Sequence, residues 1–320
     1  MTVLVTGGTG FLGSHLIAAL LQRGESIRAL VRSPAKATAL GFSGVEWIEG
    51  TLTDDATLRR ATEGVDVVYH LAGLTAARSE AEYLATNRDG TSRLLRATET
   101  DTRFVLVSSL AAAGPSQRGA PLTGSEPALP VSAYGRSKLA AETVVRDSDR
   151  PWVILRPPAV YGPRDREMFR LFRAVTLGIA PVFGDGSQEL SLVFGPDLAE
   201  AVIRAGTIEG IEGRTYYPAH PEILSSRMVV ETLGTAAERR ARVVGIPIGL
   251  ARPLLHVTGA VARLVDRATL LNPDKGNEFF ATAWTCDPSA FGRDSGWQAD
   301  HGLLAGATKT FAWYRKTGWL

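Results

Sequence analysis

Tyr134 and Lys138 stand four residues apart, downstream of an amino-terminal run Thr6-Gly-Gly-Thr-Gly-Phe-Leu-Gly13. Residues so spaced share one face of a helix, which brings an ammonium close to a phenol. A free tyrosine, with a pKa of about 10, is a poor base at neutral pH, and a neighbouring lysine cation, together with the positive charge of an oxidised nicotinamide, is expected to stabilise the phenolate and lower that value. The glycines do something else. Gly7, Gly10 and Gly13 recur at three-residue intervals, a spacing that makes a tight turn, lets backbone approach phosphate oxygens and aims a helix N-terminus at negative charge. Together, a pyrophosphate cradle and a proton-transfer pair imply hydride chemistry on a bound dinucleotide, with Tyr134 exchanging a proton with a substrate oxygen.

Three further residues fit that chemistry. Ser109 closes the run Phe104-Val-Leu-Val-Ser-Ser109, at the carboxyl end of a strand, where open α/β sheets bind ligands; its hydroxyl would hold the reacting oxygen. Asn87, in the helix-like Ala85-Thr-Asn-Arg-Asp-Gly90, would anchor a water or a backbone carbonyl in a proton relay. The second strand ends Ala29-Leu-Val-Arg32-Ser33 without the carboxylate that would bond a ribose 2′-hydroxyl. Arg32 would instead accommodate a 2′-phosphate, so NADP(H) is expected over NAD(H).

The elements that must position these residues follow from the apolar pattern. Val3–Val5, Ser26–Val31, Val45–Ile48, Val65–His70, Arg103–Ser108 and Trp152–Leu155 are short apolar runs separated by helix-period segments. That pattern predicts a parallel sheet covered on both faces, an α/β doubly wound fold of Rossmann type. Between the first two strands Ser14–Arg23 reads as a helix ended by Gly24, and Asp54 reads as a helix N-cap. The segment from Gly114 to Pro130, with four prolines, is too irregular for an element and leads directly into Tyr134. We place the dinucleotide-binding domain at 1–163 and a smaller substrate-binding part at 164–320, with about 190–206 expected to return to the main sheet.

Bulk composition narrows the partners. Lysine plus arginine number 35 against 33 aspartate plus glutamate in 320 residues, with no run of like charge; nucleic acid is not expected, and a small-molecule substrate is. A single cysteine, Cys286, excludes an internal disulfide and a cysteine-cluster metal site and suits a reducing cytoplasm. The first residues run straight into the glycine loop, so no export signal is expected. Gly245–Val265 is the most apolar stretch, but Arg252, Pro253, His256 and Arg263 interrupt it. It is read as covering an apolar pocket or a partner surface and not as an integral membrane span.

With these motifs the chain resembles the extended short-chain dehydrogenase/reductases, of the NAD-dependent epimerase/dehydratase type. That family includes dihydroflavonol reductases, 3β-hydroxysteroid dehydrogenases and nucleotide-sugar epimerases. The match rests on the glycine loop, His70-Leu-Ala-Gly73, Asn87 with Arg-Asp-Gly-Thr91, Val107-Ser-Ser109, Tyr134-Gly-Arg-Ser-Lys138 and Arg156-Pro-Pro-Ala-Val-Tyr-Gly-Pro163. It is dense in the first half and loose afterwards. The resemblance implies a catalytic set of Ser109, Tyr134 and Lys138 supported by Asn87. It adds Thr9, Phe11, Leu12, Leu71, Ala72, Gly73, Pro157 and Val160 to the cofactor contacts, and a homodimer paired through Glu80–Thr98 and Ala133–Asp147.

Departures from the family pattern bear on the substrate. Leu110 and Ala111 follow Ser109 where dehydratases carry an acidic pair, so dehydration is not expected. Leu190, beside Glu189, stands seven residues before Asp197, where sugar epimerases present an arginine to pyrophosphate. Arg164, Arg166, Arg170 and Lys275 are the remaining candidate cations, read first as surface charges. Gly50 is followed by Thr51 and Leu52 in place of an aspartate for adenine, and those two residues would substitute. The leading expectation is an NADP(H)-dependent interconversion of a secondary alcohol and a ketone on a mostly apolar molecule. The alternatives are a nucleotide-sugar epimerase with retained cofactor and a dinucleotide-binding regulator without chemistry.

Overall fold

The computed structural model describes residues 1–264, 269 and 273–320. Its central sheet has seven parallel strands, β1 (Thr2–Thr6), β2 (Ser26–Val31), β3 (Val45–Glu49), β4 (Val67–His70), β5 (Arg103–Val107), β6 (Trp152–Leu155) and β10 (Arg214–Tyr216), in the order β10-β6-β5-β4-β1-β2-β3. All six strands expected from the apolar runs are present. The runs are continuous because both faces are covered. Val3 and Val5 point into one core with Leu16, Ile17 and Leu20, while Leu4 between them points into a second with Leu58, Leu94 and Val145. Each such fully buried leucine or valine stabilises the fold by about 1.5–3 kcal/mol.

Strand order reverses between β4 and β1, and the crevice at their carboxyl ends is the ligand position of open α/β sheets. The helix Phe11–Gln22 follows β1, and the helix Gly195–Thr207 packs beside it on the same face of the sheet. The approach of the latter helix to β4 needs a small residue. A Cβ on Gly206 would come within 2.3 Å of the Tyr69 hydroxyl.

Beyond residue 156 the strands β7 (Ala159–Tyr161), β8 (Ile179–Phe183), β9 (Glu189–Phe194), β11 (Ile223–Ser225), β12 (Arg242–Ile246) and β13 (Ala283–Trp284) lie outside the central sheet. Strand β9 pairs with β7, β11 and β13, and β12 pairs with β8. The expected return of 190–206 to the main sheet is therefore corrected for the strand, which joins this second sheet, while the following helix lies on the central one. Arg214–Tyr216 extends the central sheet beside β6, an addition its three residues gave no periodicity to announce. A separate core gathers Phe172, Leu192, Phe194, Leu233 and Tyr314, and the carboxyl terminus closes it, Trp319 stacking on Tyr314 at 5.6 Å.

Two helices lie over the carboxyl-terminal part, Ile248–Leu264 and Pro273–Phe279. No helix among the described residues is long and apolar enough to cross a membrane. Val265, at the end of the apolar stretch singled out in the sequence, lies outside the described residues.

Candidate active site

The glycine loop closes on itself in a way no side chain would allow. Gly7 has φ of 75°, and a Cβ there would come 2.8 Å from the Ala72 nitrogen; on Gly13 it would come 2.2 Å from the Gly7 carbonyl oxygen. The Gly10 amide donates to that carbonyl at 2.9 Å, and the helix Phe11–Gln22 starts immediately after. A cleft of about 470 Å³ opens in front of the loop. Gly7, Thr9, Gly10, Arg32, Thr51, Leu52, Leu71, Ala72 and Gly73 line it, together with Lys36, Leu74, Ala85 and Thr86. No carboxylate among the described residues lines it. Phe11, Leu12 and Gly13 lie behind the loop, Phe11 edge-on to His15 at 5.4 Å and Leu12 against the core. Pro157, whose carbonyl accepts from the Leu110 amide, and Val160 of β7 are not part of the lining.

The wall from Leu71 to Leu74 is held by a chain of hydrogen bonds with one consistent direction. Thr91 donates its hydroxyl proton to the Asn87 carbonyl at 2.6 Å, so at 2.8 Å from His70 Nε2 it must accept. His70 Nδ1 then accepts from Thr6 at 2.7 Å, and Thr6 Oγ1 accepts from the Ala72 amide at 3.2 Å. Burial, reinforced by the Lys138 charge, holds His70 neutral with a pKa of about 3. The Asn87 side chain accepts from the Leu74 amide at 2.7 Å and donates to the Leu74 carbonyl at 3.1 Å and to Ser137 at 2.8 Å. Asn87 sits not in an α-helical turn but in a π-helical one, Ala85–Asp89.

Tyr134 and Lys138 lie on the helix Ala133–Arg146, whose N-cap Ser132 accepts from the Gly135 amide at 3.0 Å. Ser109 caps the short helix Leu110–Ala113, and its hydroxyl bonds the Tyr134 phenol and pulls its pKa down. Burial outweighs that bond. The phenol is pushed up to about 12, with Glu278 and Tyr83 adding to the rise. The Lys138 ammonium, which together with an oxidised nicotinamide is expected to lower the phenol, donates to the Val107 carbonyl at 2.8 Å. Burial lowers Lys138 to about 8, and the Glu142 charge opposes the drop. The ammonium lies 3.8 Å from where a Gly73 Cβ would stand, so the cleft wall and the Tyr134 helix meet there.

Sequence reasoning missed two supports. Glu142, wholly buried, accepts from Ser108 at 2.5 Å, from Arg156 at 2.9 and 2.7 Å and from Arg146 at 2.8 Å. The helix Pro273–Phe279 covers the Tyr134 side: Glu278 accepts from Ser132 at 2.5 Å, and Asp274 accepts from the Ala133 amide at 2.9 Å. Lys275 pairs with Glu278 at 2.5 Å and stands 4.6 Å over the Tyr134 ring. It is therefore not a surface charge, and neither is Arg164, which donates to Ser14 at 3.0 Å. Arg170 remains exposed on Glu167, and Arg166 lies over Trp319. Glu189, beside Leu190, is held by Arg118 and the Gly119 amide. Lys36 had a signal in its nearness to Arg32, four residues on in the short helix Pro34–Thr38. Glu278, 146 residues from Ser132, had none.

Comparison with known proteins agrees with this geometry. Residues 3–216 match the family model of the NAD dependent epimerase/dehydratase family. The chain is 32% identical over 330 residues to a ceramide reductase of Caulobacter vibrioides, covering 99% of this chain and 96% of that one. It is 30% identical over 279 residues, 84% of this chain and 83% of the other, to a 4-hydroxy-2-methyl-3-oxo-4-farnesyl-3,4-dihydroquinoline-1-oxide ketoreductase of Stigmatella aurantiaca. Among solved structures, MoeE5 in complex with UDP-glucuronic acid and NAD superposes with a TM-score of 0.79 at 25% identity, covering 99% of this chain and 100% of that one. The chain belongs to the NAD-dependent epimerase/dehydratase family, within the extended short-chain dehydrogenase/reductases.

Proposed function

We propose that this protein is an NADP(H)-dependent oxidoreductase that interconverts a secondary alcohol and a ketone on a mostly apolar small molecule. What supports the proposal is the hydrogen bond between Ser109 and the Tyr134 phenol, together with the Lys138 ammonium lying beside Gly73 of a cleft that the glycine loop also lines. Tyr134 passes the proton to or from the substrate oxygen, and Ser109 holds that oxygen. Lys138 places a positive charge beside the pair. Asn87 fixes the Leu74 backbone that bounds it. The dinucleotide, when bound, supplies or accepts the hydride.

The cradle fits such a group, because its glycines leave open the backbone that a Cβ would fill. Arg32 and Lys36 line the adenosine end with no acidic residue opposite, which favours a 2′-phosphate. We assign residues 1–163 to dinucleotide binding, with the helix Gly195–Thr207 packed against that part, and most of 164–320 to the substrate side. An apolar substrate is supported by Leu190 in place of a pyrophosphate arginine and by relatives named for ceramide and for a farnesylated quinoline.

A second reading, epimerisation of a nucleotide sugar with retained cofactor, is favoured by the likeness to MoeE5 with its UDP-glucuronic acid. Net cofactor turnover separates the two. Purified protein is given NADPH or NADH with a panel of ketones, alcohols and nucleotide sugars, with product analysis throughout. The reductase predicts stoichiometric loss of absorbance, stronger with NADPH, and Arg32→Glu abolishes the preference for NADPH. Product from a sugar without net cofactor change would replace this proposal by the epimerase.

A further inference from the structure

Over its described side chains the helix Ile248–Leu264 has two apolar faces, only one of which is covered among the described residues. Ala251 and Leu255 are 3% and 4% exposed, and Leu255 closes on Gly276 of the neighbouring helix Pro273–Phe279. Leu250, Leu254 and Val257 are 70%, 60% and 59% exposed, and Ile248 is 39% exposed. At about 100° per residue the first three fall in a single narrow stripe. Exposed leucines scattered singly need no explanation, but a stripe of them on one helix marks an interaction surface.

Charge says what meets it. From Glu238 to Leu264 the sequence holds five arginines, one glutamate, and no aspartate or lysine. Arg239, Arg240 and Arg242, ahead of the helix, are exposed, while Arg252 lies on the side of the helix opposite the stripe. A second copy of the chain would bring these arginines against their own kind. An anionic surface would not. The covered side of the same helix is close to the candidate active site: Arg252 lies over the Phe280 ring at 5.5 Å, and Lys275, on the adjoining helix, stands over Tyr134.

We propose that the Leu250, Leu254 and Val257 face of this helix docks on an anionic lipid bilayer, lying in the plane of the interface beside the cover of the Tyr134 site. The apolar side chains enter the acyl boundary while the flanking arginines meet lipid phosphates. An apolar substrate would then be taken up from the phase in which it is dissolved. That last link rests on the reductase proposal above; the docking itself does not.

The full chain is mixed with vesicles of phosphatidylcholine alone, or with about one-third phosphatidylglycerol, and floated through a density gradient. The wild type is expected to float with the anionic vesicles, more weakly with the neutral ones, and less as salt rises. The combined variant Leu250→Ser, Leu254→Ser, Val257→Ser should lose about tenfold or more of its partitioning with an unchanged thermal midpoint. The variant Arg239→Glu, Arg240→Glu should lose binding to anionic vesicles only. Wild-type protein that stays at the bottom of the gradient overturns the proposal, as does a serine variant that floats like wild type. So does a dimer in equilibrium sedimentation that the serine substitutions convert to monomer, since the face would then belong to a second copy. Flotation reads docking without turnover and the ketone panel reads turnover without vesicles, so failure of one is distinguishable from failure of the other.

Discussion

At the scale of single residues, the two titrating groups of the site are displaced in opposite directions by one cause. Burial disfavours the charged form of each, raising Tyr134 to about 12 and lowering Lys138 to about 8. At neutral pH the phenol holds its proton, as a donor to a ketone oxygen must. Tyr134→Phe removes that proton and should lower kcat by about 10²–10⁴-fold while cofactor binding, followed by fluorescence titration, stays near the wild-type value. Comparable turnover by the phenylalanine variant would rule Tyr134 out as the donor. Lys138 gives the pH dependence its sign. Its ammonium is lost as pH rises through about 8, so ketone reduction should fall above that pH. Stability moves the other way: between about 8 in the fold and an ordinary value of about 10.5 the unfolded chain binds more protons. The Lys138 contribution to stability therefore rises with pH across that window.

Elements differ in how plainly the sequence announces them. Trp152–Leu155 ends where its apolar run ends, because a strand buried on both faces has no polar positions to blur the signal. The glycine loop was legible for a steric reason, and it makes a steric prediction. Gly13→Ala would place a methyl 2.2 Å from the Gly7 carbonyl, so loop and helix must part. Cofactor affinity should drop by roughly a hundredfold and stability by about 1–3 kcal/mol, measured by titration and thermal melting; wild-type affinity would mean that the loop does not cradle phosphate. Other features were hidden. The π turn at Ala85–Asp89 has the composition of an ordinary helix, and Asn87 within it bonds the distant Leu74 backbone, a contact no local propensity announces. The cover formed by Asp274, Lys275 and Glu278 depends on contacts more than a hundred residues distant, and no local period reports such a contact.

Across the whole molecule, Glu142 ties the site to the sheet. It lies one helical turn beyond Lys138, joins Ser108 at the end of β5 to Arg156 just past β6, and has no exposure to water. Arg156 could be matched to a family motif from the sequence, but its partner could not, because the pair forms only when helix and sheet pack. Breaking such a pair leaves a buried cation uncompensated, so Glu142→Gln should cost about 3–5 kcal/mol of stability. It should also act on chemistry, since the Glu142 charge is what opposes the lowering of Lys138; the basic limb of the pH–rate profile should move to lower pH. The two effects separate in a double variant. Glu142→Gln with Arg156→Met removes the buried arginine that the lost carboxylate would leave uncompensated and should recover most of the stability, while the limb stays displaced because the carboxylate is still absent. Recovery of the limb together with the stability would mean that packing around Lys138, and not the charge of Glu142, sets where the lysine titrates.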